Sequence, residues 1–219
     1  MSSLLDVLKE NIDEFGGGLW VTVRLVAGAF LIALVVGTTV AALRIAPSPW
    51  SRRLGGLYVE TFRNIPLLVL LTLSYAGLRR AGLALDPWTA GIGSLGLYTA
   101  AYVAEVLRSG VFAISKGQIE ASLSLGFSYP QTLRRIVLPQ AFRIVIPPLG
   151  SITIAMIKNS AIIGASIIAI GDLVKNSRIV YARTFQEEAF IWIGVGYLLL
   201  TGAATVAFRL LERRLAISR

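Results

Sequence analysis

Five apolar runs, each long enough to cross a lipid bilayer as a helix, constrain this chain of 219 residues more than any other feature. A transmembrane helix needs about 20 mostly apolar residues. Charged residues make up only 15% of the chain, against about 25% in soluble domains. We therefore predict an all-α, polytopic membrane protein that forms a single transmembrane domain over residues 1–219. Its five spans are predicted at residues 19–43, 55–78, 87–107, 141–171 and 188–211.

The composition also limits the chemistry that the chain can carry out. It contains no histidine and no cysteine, which excludes a Ser-His-Asp triad, a cysteine nucleophile and metal sites built on imidazole or thiolate groups. The sequence also lacks a G-x-x-x-x-G-K-[ST] loop, which would cradle the phosphates of ATP. We therefore expect no catalytic residue, no metal site and no cofactor in this chain, which argues against an enzyme.

The distribution of lysine and arginine predicts how the chain is oriented. Membrane proteins accumulate these residues in their cytoplasmic loops. With the N-terminus outside and the C-terminus inside, the inner segments hold about twice as many of them as the outer segments. The same rule accounts for the net charge of +9, so we expect no binding of nucleic acid.

The fourth run, residues 141–171, is longer than a bilayer requires. It contains Pro147-Pro148 near its start and Lys158-Asn159-Ser160 in its interior. Proline removes a backbone hydrogen bond and its ring crowds the preceding turn of a helix. We therefore predict that this span is broken or strongly tilted.

The segment between the third and fourth runs, residues 109–140, carries helical signals of its own. Ile119, Leu123 and Phe127 recur at a helical spacing, and Tyr129-Pro130 begins a second helical stretch. We predict two short amphipathic helices on the cytoplasmic face, the second one ending at Leu138-Pro139. Such helices can pack against the spans or dock into a groove of a partner.

The same segment contains a spaced motif. Glu120-Ala121-Ser122 is followed after three residues by Gly126 and, after nine more, by Ile136-Val137-Leu138-Pro139. This arrangement resembles the EAA signature of ABC importer permeases, with Ser122 where the family commonly has alanine. In that family the loop forms a coupling helix that sits in a groove of the ATPase subunit. The resemblance implies ATPase coupling for Lys116, Gly117, Gln118, Glu120, Ala121, Gly126, Ile136, Leu138 and Pro139.

Other segments are similar to a narrower family. Phe62-Arg63-Asn64-Ile65-Pro66-Leu67 resembles a segment of the polar amino acid permeases, which include histidine, glutamine, glutamate and arginine permeases. Residues 98–110 resemble the third core span of that family. Lys158-Asn159-Ser160 falls where many members have Lys-Asp-Thr or Lys-Asp-Ser. The resemblance implies a five-span permease subunit of a type I ABC importer.

The resemblance also implies partners and a location. A complete transporter would contain two ABC ATPase subunits that bind ATP and magnesium, and a second permease subunit, either the same chain or a sister chain. An extracytoplasmic substrate-binding protein would deliver the amino acid. The chain would lie in the bacterial cytoplasmic (inner) membrane.

Ionisable side chains within the spans are candidates for the substrate pathway, because a charge at the centre of a span costs about 2.5–3.5 kcal/mol on insertion scales. Glu60 and Arg63, and likewise Glu105 and Arg108, are three residues apart, so local pairing is an alternative for both pairs. Lys158 has no acidic residue within four positions. The substrate pathway is predicted to include Arg63, Asn64, Glu105, Lys158, Asn159 and Ser160.

The residue at position 159 bears on the substrate. A carboxylate there would attract a cationic ligand, whereas the amide of Asn159 does not. Glutamate or glutamine is therefore the favoured substrate. A permease for a basic amino acid such as arginine, and a channel or membrane scaffold that works alone, are the alternatives.

Overall fold

A computed structural model describes residues 4–168 and 170–215, and within these ranges the secondary structure is entirely helical. The first half contains α1 (Leu4–Glu10), α2 (Ile12–Ile45), α3 (Pro49–Asn64), α4 (Leu67–Thr72), a π-helical turn (Leu73–Gly77), α5 (Leu78–Arg80) and α6 (Pro87–Phe112). The second half contains α7 (Lys116–Ser124), α8 (Tyr129–Thr132), a second π-helical turn (Leu133–Val137), α9 (Leu138–Ala165), α10 (Leu173–Thr184) and α11 (Glu188–Leu215). The predicted all-α class is confirmed.

Four continuous helices in the described ranges are long and apolar enough to cross a membrane: α2, α6, the helix over Tyr129–Ala165, and α11. A fifth span results if the bent pair Pro49–Asn64 and Leu67–Arg80 is counted as one. The predicted run 55–78 is therefore not one straight helix. Its halves meet at 100° beside Pro66, which has no N–H to continue the helical hydrogen bonds and forces an extended backbone on Ile65.

The predicted break in the fourth span is absent. α9 continues through Pro147-Pro148 and through Lys158-Asn159-Ser160, and it ends at Ala165 instead of residue 171. Each proline removes one backbone hydrogen bond, but prolines are tolerated within membrane helices because the surrounding bundle offers other partners to the freed carbonyl groups.

α6 lies at the centre of the bundle, where it packs against α2, α3 and α9. Small residues allow the helices to approach closely. At Gly96, an added Cβ atom would lie 2.8 Å from the Ile32 side chain on α2, which is too close for a carbon contact. The main apolar core is formed by Leu25, Ala29, Leu67, Leu71, Ala90, Leu95, Met156, Ile163, Ile168 and Ile170.

A buried polar junction joins α2, α9 and α10. Asp172 is 1% exposed and caps α10, since its Oδ1 atom accepts a hydrogen bond from the backbone N–H of Lys175 over 2.9 Å. The next backbone N–H, that of Leu173, donates to the hydroxyl of Thr22 on α2 over 3.1 Å. The carboxylate lies directly against Gly164, where there is no room for a Cβ atom. We call Thr22, Gly164, Asp172 and Leu173 the polar junction.

Candidate functional site

The segment from Ser115 to Thr132, which we call the coupling segment, projects from the bundle. Ser115 precedes α7 with the extended backbone typical of an N-cap. Gly126 follows the end of α7 and has a φ of 84°, a left-handed conformation that glycine adopts without strain. The chain therefore turns tightly at Gly126. The motif side chains Lys116, Gly117, Gln118, Glu120, Ala121 and Gly126 are all exposed.

One buried hydrogen bond holds the two helices of the coupling segment together. The hydroxyls of Ser122 on α7 and Thr132 on α8 lie 2.8 Å apart, and both side chains are buried. Ser122 also donates to the carbonyl oxygen of Ile119 over 2.7 Å. Alanine, the common family residue at this motif position, could not form this link. In the sequence, Ser122 was only a small residue at a motif position, and nothing predicted its hydrogen bond to Thr132.

The second predicted helix does not end at Leu138-Pro139. Instead, α8 continues through the π-helical turn Leu133–Val137 into α9, and the N–H of Leu138 donates to the carbonyl oxygen of Leu133. Pro139, which has no N–H to donate, lies two residues after this π-helical turn. The wider π turn accommodates the change in hydrogen-bond pattern. Ile136 is half-buried, while Leu138 and Pro139 are exposed.

The coupling segment also exposes apolar side chains beside basic ones. Leu125 and Tyr129 are 79% and 65% exposed. A cavity of about 460 Å³ lies beside them, lined by Pro130, Gln131, Arg134 and Arg135. An exposed apolar patch with a charged rim is the usual composition of a protein-binding surface.

The intramembrane carboxylate of Glu105 forms a three-residue ion cluster. It pairs with Arg44 at the end of α2, and its Oε1 atom accepts a hydrogen bond from Nε of Arg108 over 3.1 Å. For Glu105 the alternative of local pairing with Arg108 therefore holds. No sequence pattern pointed to Arg44, because it lies 61 residues before Glu105 and meets it only through the packing of α2 on α6. Glu105 therefore ties α2 to α6, and it makes no contact with Lys158 in the described chain.

For Glu60 and Arg63 the alternative of local pairing does not hold, since they form no ion pair among the described residues. The Arg63 guanidinium lies over the ring of Tyr102, 5.4 Å from its centroid. The side-chain amide of Asn64 donates instead to the backbone carbonyl oxygen of Glu60 over 2.6 Å. Arg63 and Asn64 are both exposed and face away from the apolar core.

A polar cavity of about 200 Å³ lies between α6 and α9. It is lined by Tyr98, Thr99, Tyr102, Ile152, Ala155, Met156 and Asn159. The hydroxyls of Tyr98 and Tyr102 are 3.1 Å apart. Arg63 on α3 does not line this cavity, but it contacts the ring of Tyr102, which does. We call this cavity the tyrosine cavity.

The three consecutive residues Lys158, Asn159 and Ser160 have different surroundings. Asn159 lines the tyrosine cavity. Ser160 is buried on another face of α9, with its hydroxyl 3.3 Å from that of Tyr197 on α11. Lys158 is exposed and forms no ion pair with any described residue. Sequence reasoning missed Tyr98 and Tyr102, although their spacing of four places both on one helix face.

In the described ranges, no group of three or more aspartate, glutamate, histidine or cysteine side chains could hold a metal ion. The lining of the tyrosine cavity consists of hydroxyl, amide and apolar groups, with an arginine close by. Such groups bind and orient a polar ligand through hydrogen bonds.

Comparison with known proteins agrees with this geometry. Residues 29–217 match the family described as binding-protein-dependent transport system inner membrane component. The chain is 41% identical over 219 residues to the probable glutamine ABC transporter permease protein GlnM of Bacillus subtilis (strain 168), covering 98% of this chain and 97% of the relative. It is 33% identical over 214 residues to the glutamate/aspartate import permease protein GltJ of Escherichia coli (strain K12), covering 91% and 86%.

A solved structure supports the same assignment. The crystal structure of an amino acid ABC transporter with histidines contains a chain that superposes with a TM-score of 0.90 at 32% identity, and the match covers 98% of this chain and 99% of that one. Both the sequence and the fold therefore agree over nearly the full length. The chain belongs to the family of binding-protein-dependent transport system inner membrane components.

Proposed function

We propose that this chain is the permease subunit of an ABC importer that moves glutamine or glutamate across the bacterial cytoplasmic membrane. The mechanism rests on one observation. The second helix of the coupling segment and a wall of the tyrosine cavity belong to a single helical body, because the helix over Tyr129–Ala165 is continuous and carries Asn159. The hydrogen bond between Ser122 and Thr132 joins α7 to that body. At 1.5 Å per residue, this helix covers about 40 Å between the coupling segment and Asn159. A displacement of the coupling segment would therefore move the wall of the cavity.

The proposed partners follow from the surfaces that the chain exposes. Two ATPase subunits would bind ATP and magnesium, and each would receive one coupling segment in a groove. The exposed Glu120 carboxylate would pair with a basic side chain of the ATPase, while Leu125 and Tyr129 fill apolar pockets. A second permease, the same chain or a sister chain, would complete the pathway, and a substrate-binding protein would deliver the ligand from outside.

The proposed orientation has the N-terminus outside and the C-terminus inside. This orientation puts the coupling segment in the cytoplasm, on the side where ATP is available. ATP-driven closure of the two ATPases would then move both coupling segments. The pathway would alternate between outward-open and inward-open states, with nucleotide and amino acid each favouring one of them.

The lining of the tyrosine cavity supports an amide or acidic amino acid. Asn159 and the two tyrosine hydroxyls offer neutral hydrogen bonds, and the cavity itself has no carboxylate that would attract a cationic side chain. Arg63 lies beside the cavity and would favour a carboxylate group. The names of the two curated relatives, a glutamine and a glutamate/aspartate permease, support the same class.

Lys158 has a separate proposed role. It is exposed in this chain although it lies within α9, about two turns before that helix ends at Ala165, and a charge inside a span is costly. In the complete transporter it would face the aqueous pathway or a carboxylate of the second permease. Glu105 of the same chain does not fill that role, because Arg44 and Arg108 already neutralise it.

The test begins with purification of the tagged chain from its native membrane in mild detergent, followed by mass spectrometry of the proteins that accompany it. We expect an ABC ATPase in about equal amount, as each permease would engage one ATPase. The complex would next be reconstituted with its binding protein, and ATP turnover measured with glutamine, glutamate and arginine. Stimulation by glutamine or glutamate supports the proposal.

Two outcomes would contradict it. Purification of the chain alone as a closed oligomer that conducts without nucleotide would favour a channel. Stimulation of ATP turnover by arginine but not by glutamine or glutamate would favour a permease for basic amino acids.

A further inference from the structure

A basic cavity of about 590 Å³ lies where α2 ends and α3 begins. The linker between the two helices is only three residues long, Ala46-Pro47-Ser48, so the cavity sits at the boundary of two successive membrane segments. Neither the coupling segment nor the tyrosine cavity includes its residues. The lining consists of Arg44, Pro49, Arg52, Arg53, Gly56, Leu57 and Glu60.

Each of the three arginines is held by a different contact. Arg44 pairs with Glu105 through one terminal nitrogen. Arg52 uses one terminal nitrogen to donate to the carbonyl oxygens of Ala46 and Pro47, over 3.1 and 2.6 Å. Arg53 lies over the ring of Trp50, 5.5 Å from its centroid.

A guanidinium group carries five N–H donors, so each of these contacts leaves several donors free. The groups are therefore positioned in advance and still able to bind an anion. Three arginines face one carboxylate, that of Glu60, in the lining. The planar guanidinium group of arginine can donate two parallel hydrogen bonds to the oxygen atoms of a phosphate. A phosphate group is therefore the anion that suits this cavity best.

The side chains around the cavity indicate that this phosphate belongs to a lipid. Trp50 is 72% exposed, and Leu54 and Leu57 on the same helix are 61% and 64% exposed. Tryptophan is enriched at the level of lipid headgroups, and exposed leucines beside it suit acyl chains. Basic pockets between transmembrane helices are known to bind anionic headgroups.

We propose that Arg44, Arg52 and Arg53 bind the phosphodiester headgroup of an anionic phospholipid. Trp50 lies at headgroup depth and orients Arg53, while the leucines of α3 contact the acyl chains. Because Arg44 also neutralises Glu105, a bound headgroup acts on the same ion cluster that ties α2 to α6. This site is independent of the amino acid that the transporter carries.

The test uses the purified, delipidated transporter complex, titrated with phosphatidylglycerol or with phosphatidylcholine and followed by native mass spectrometry. Arg53→Gln removes one guanidinium that makes no ion pair among the described residues. We expect its affinity for phosphatidylglycerol to fall about fivefold, the usual contribution of one arginine near a membrane surface. The matched control is Arg80→Gln, which removes the same charge from an exposed arginine at the end of α5 and leaves the affinity unchanged.

A second variant keeps the proposal testable if Arg53→Gln assembles poorly. Glu60→Gln removes the only carboxylate in the lining, and we expect it to strengthen binding of phosphatidylglycerol by a few fold. Equal binding by both variants and by the control overturns the proposal.

Two further results would replace the lipid with another occupant. Displacement of phosphatidylglycerol by millimolar inorganic phosphate would indicate a site for free phosphate. Loss of the second permease from the Arg53→Gln complex, with lipid binding unchanged, would indicate an interface between permeases. Either result overturns the lipid assignment. Equal binding of phosphatidylglycerol and phosphatidylcholine would also overturn it, because it would show that the headgroup charge is not recognised.

Discussion

The coupling segment and the polar junction both place polar residues at helix ends, but they use them in opposite ways. In the coupling segment the motif residues are exposed, and a single buried bond from Ser122 to Thr132 holds the two helices together. At the polar junction, Thr22 accepts a hydrogen bond from the backbone of Leu173, and the buried Asp172 carboxylate packs against Gly164, so that three helices are joined inside the protein. In the coupling segment the motif side chains are available to a partner. At the polar junction the polar groups are held inside the protein by contacts with other helices.

The difference indicates what substitutions in each region should do. A change on the exposed face of the coupling segment removes contacts that the isolated chain does not make, so it should affect transport without affecting stability. A change at the polar junction alters contacts that form during folding, so it should affect stability first. The variants below test this division, from the largest expected effect to the smallest.

Glu120→Arg should abolish amino acid uptake while the chain still inserts and remains as stable as the wild type. In the proposed contact with a basic side chain of the ATPase, charge reversal would replace an attraction by a repulsion, and exposed substitutions usually change stability by less than about 0.5 kcal/mol. Uptake of radiolabelled glutamine and co-purification of the ATPase are the measurements. Glu10→Arg reverses an exposed charge on α1 and serves as the control. Normal uptake in Glu120→Arg would contradict the coupling role.

Gly164→Ala should destabilise the fold by about 1–3 kcal/mol, because the added methyl group would overlap the Asp172 carboxylate. Thermal unfolding in detergent, followed by size-exclusion chromatography, would measure the loss. Gly194→Ala is the matched control, since its Cβ atom would meet nothing within 4 Å. Equal unfolding temperatures for the two variants would show that the polar junction can accommodate the added methyl group. The contrast between the two regions would then not hold.

Asn159→Asp tests the tyrosine cavity, which lies between these two regions on α9. A carboxylate there should shift the preference from glutamine towards arginine by about tenfold, the equivalent of 1.4 kcal/mol of electrostatic attraction. Competition between the two amino acids for stimulation of ATP turnover by the reconstituted complex gives the ratio. Ile152→Val changes the same lining without a charge and should leave the ratio unaltered.

Asp172 gives the polar junction a dependence on pH. Burial raises the pKa of its carboxyl group to about 6, well above its ordinary value, and its Oδ2 atom has no hydrogen-bond partner among the described residues. The folded protein therefore holds the proton more tightly than the unfolded chain. Stability contributed by the protonated acid is present at low pH and is lost as the pH rises towards and through about 6.

Asp172→Asn should remove this dependence, since the amide keeps the shape of the cap and has no proton to lose. The variant should gain about 1–2 kcal/mol over the wild type at about pH 7.5, and the gain should shrink near pH 5. Thermal unfolding at both pH values gives the difference. A gain that does not change with pH would show that the carboxyl group does not titrate in this range.

Ser122→Ala should have the smallest effect. It restores the common family residue and removes one hydrogen bond, worth about 0.5–1.5 kcal/mol, between α7 and α8. Global stability should change little, while hydrogen exchange in residues 116–132 should become faster. Unchanged exchange would show that the coupling segment is held by other contacts.

Much of the fold followed from the sequence because it depends on local pattern. The apolar runs predicted the spans, since length and hydropathy alone decide whether a helix fits a bilayer. The helical spacing in residues 109–140 predicted two short helices, and α7 and α8 form there. The local pair of Glu105 with Arg108 was also predictable, because a spacing of three places both side chains on one helix face.

The packing of helices decided the rest. Arg44 reaches Glu105 from a residue 61 positions earlier in the chain, and the tyrosine cavity combines α6 with α9. Proline signals in residues 138–148 predicted helix ends, yet the helix continues, because tertiary contacts and a π turn outweigh a local preference. The sequence by itself determined which segments enter the membrane and which carry the coupling motif. Only the tertiary structure decided which polar side chains meet, because such meetings depend on how distant helices pack.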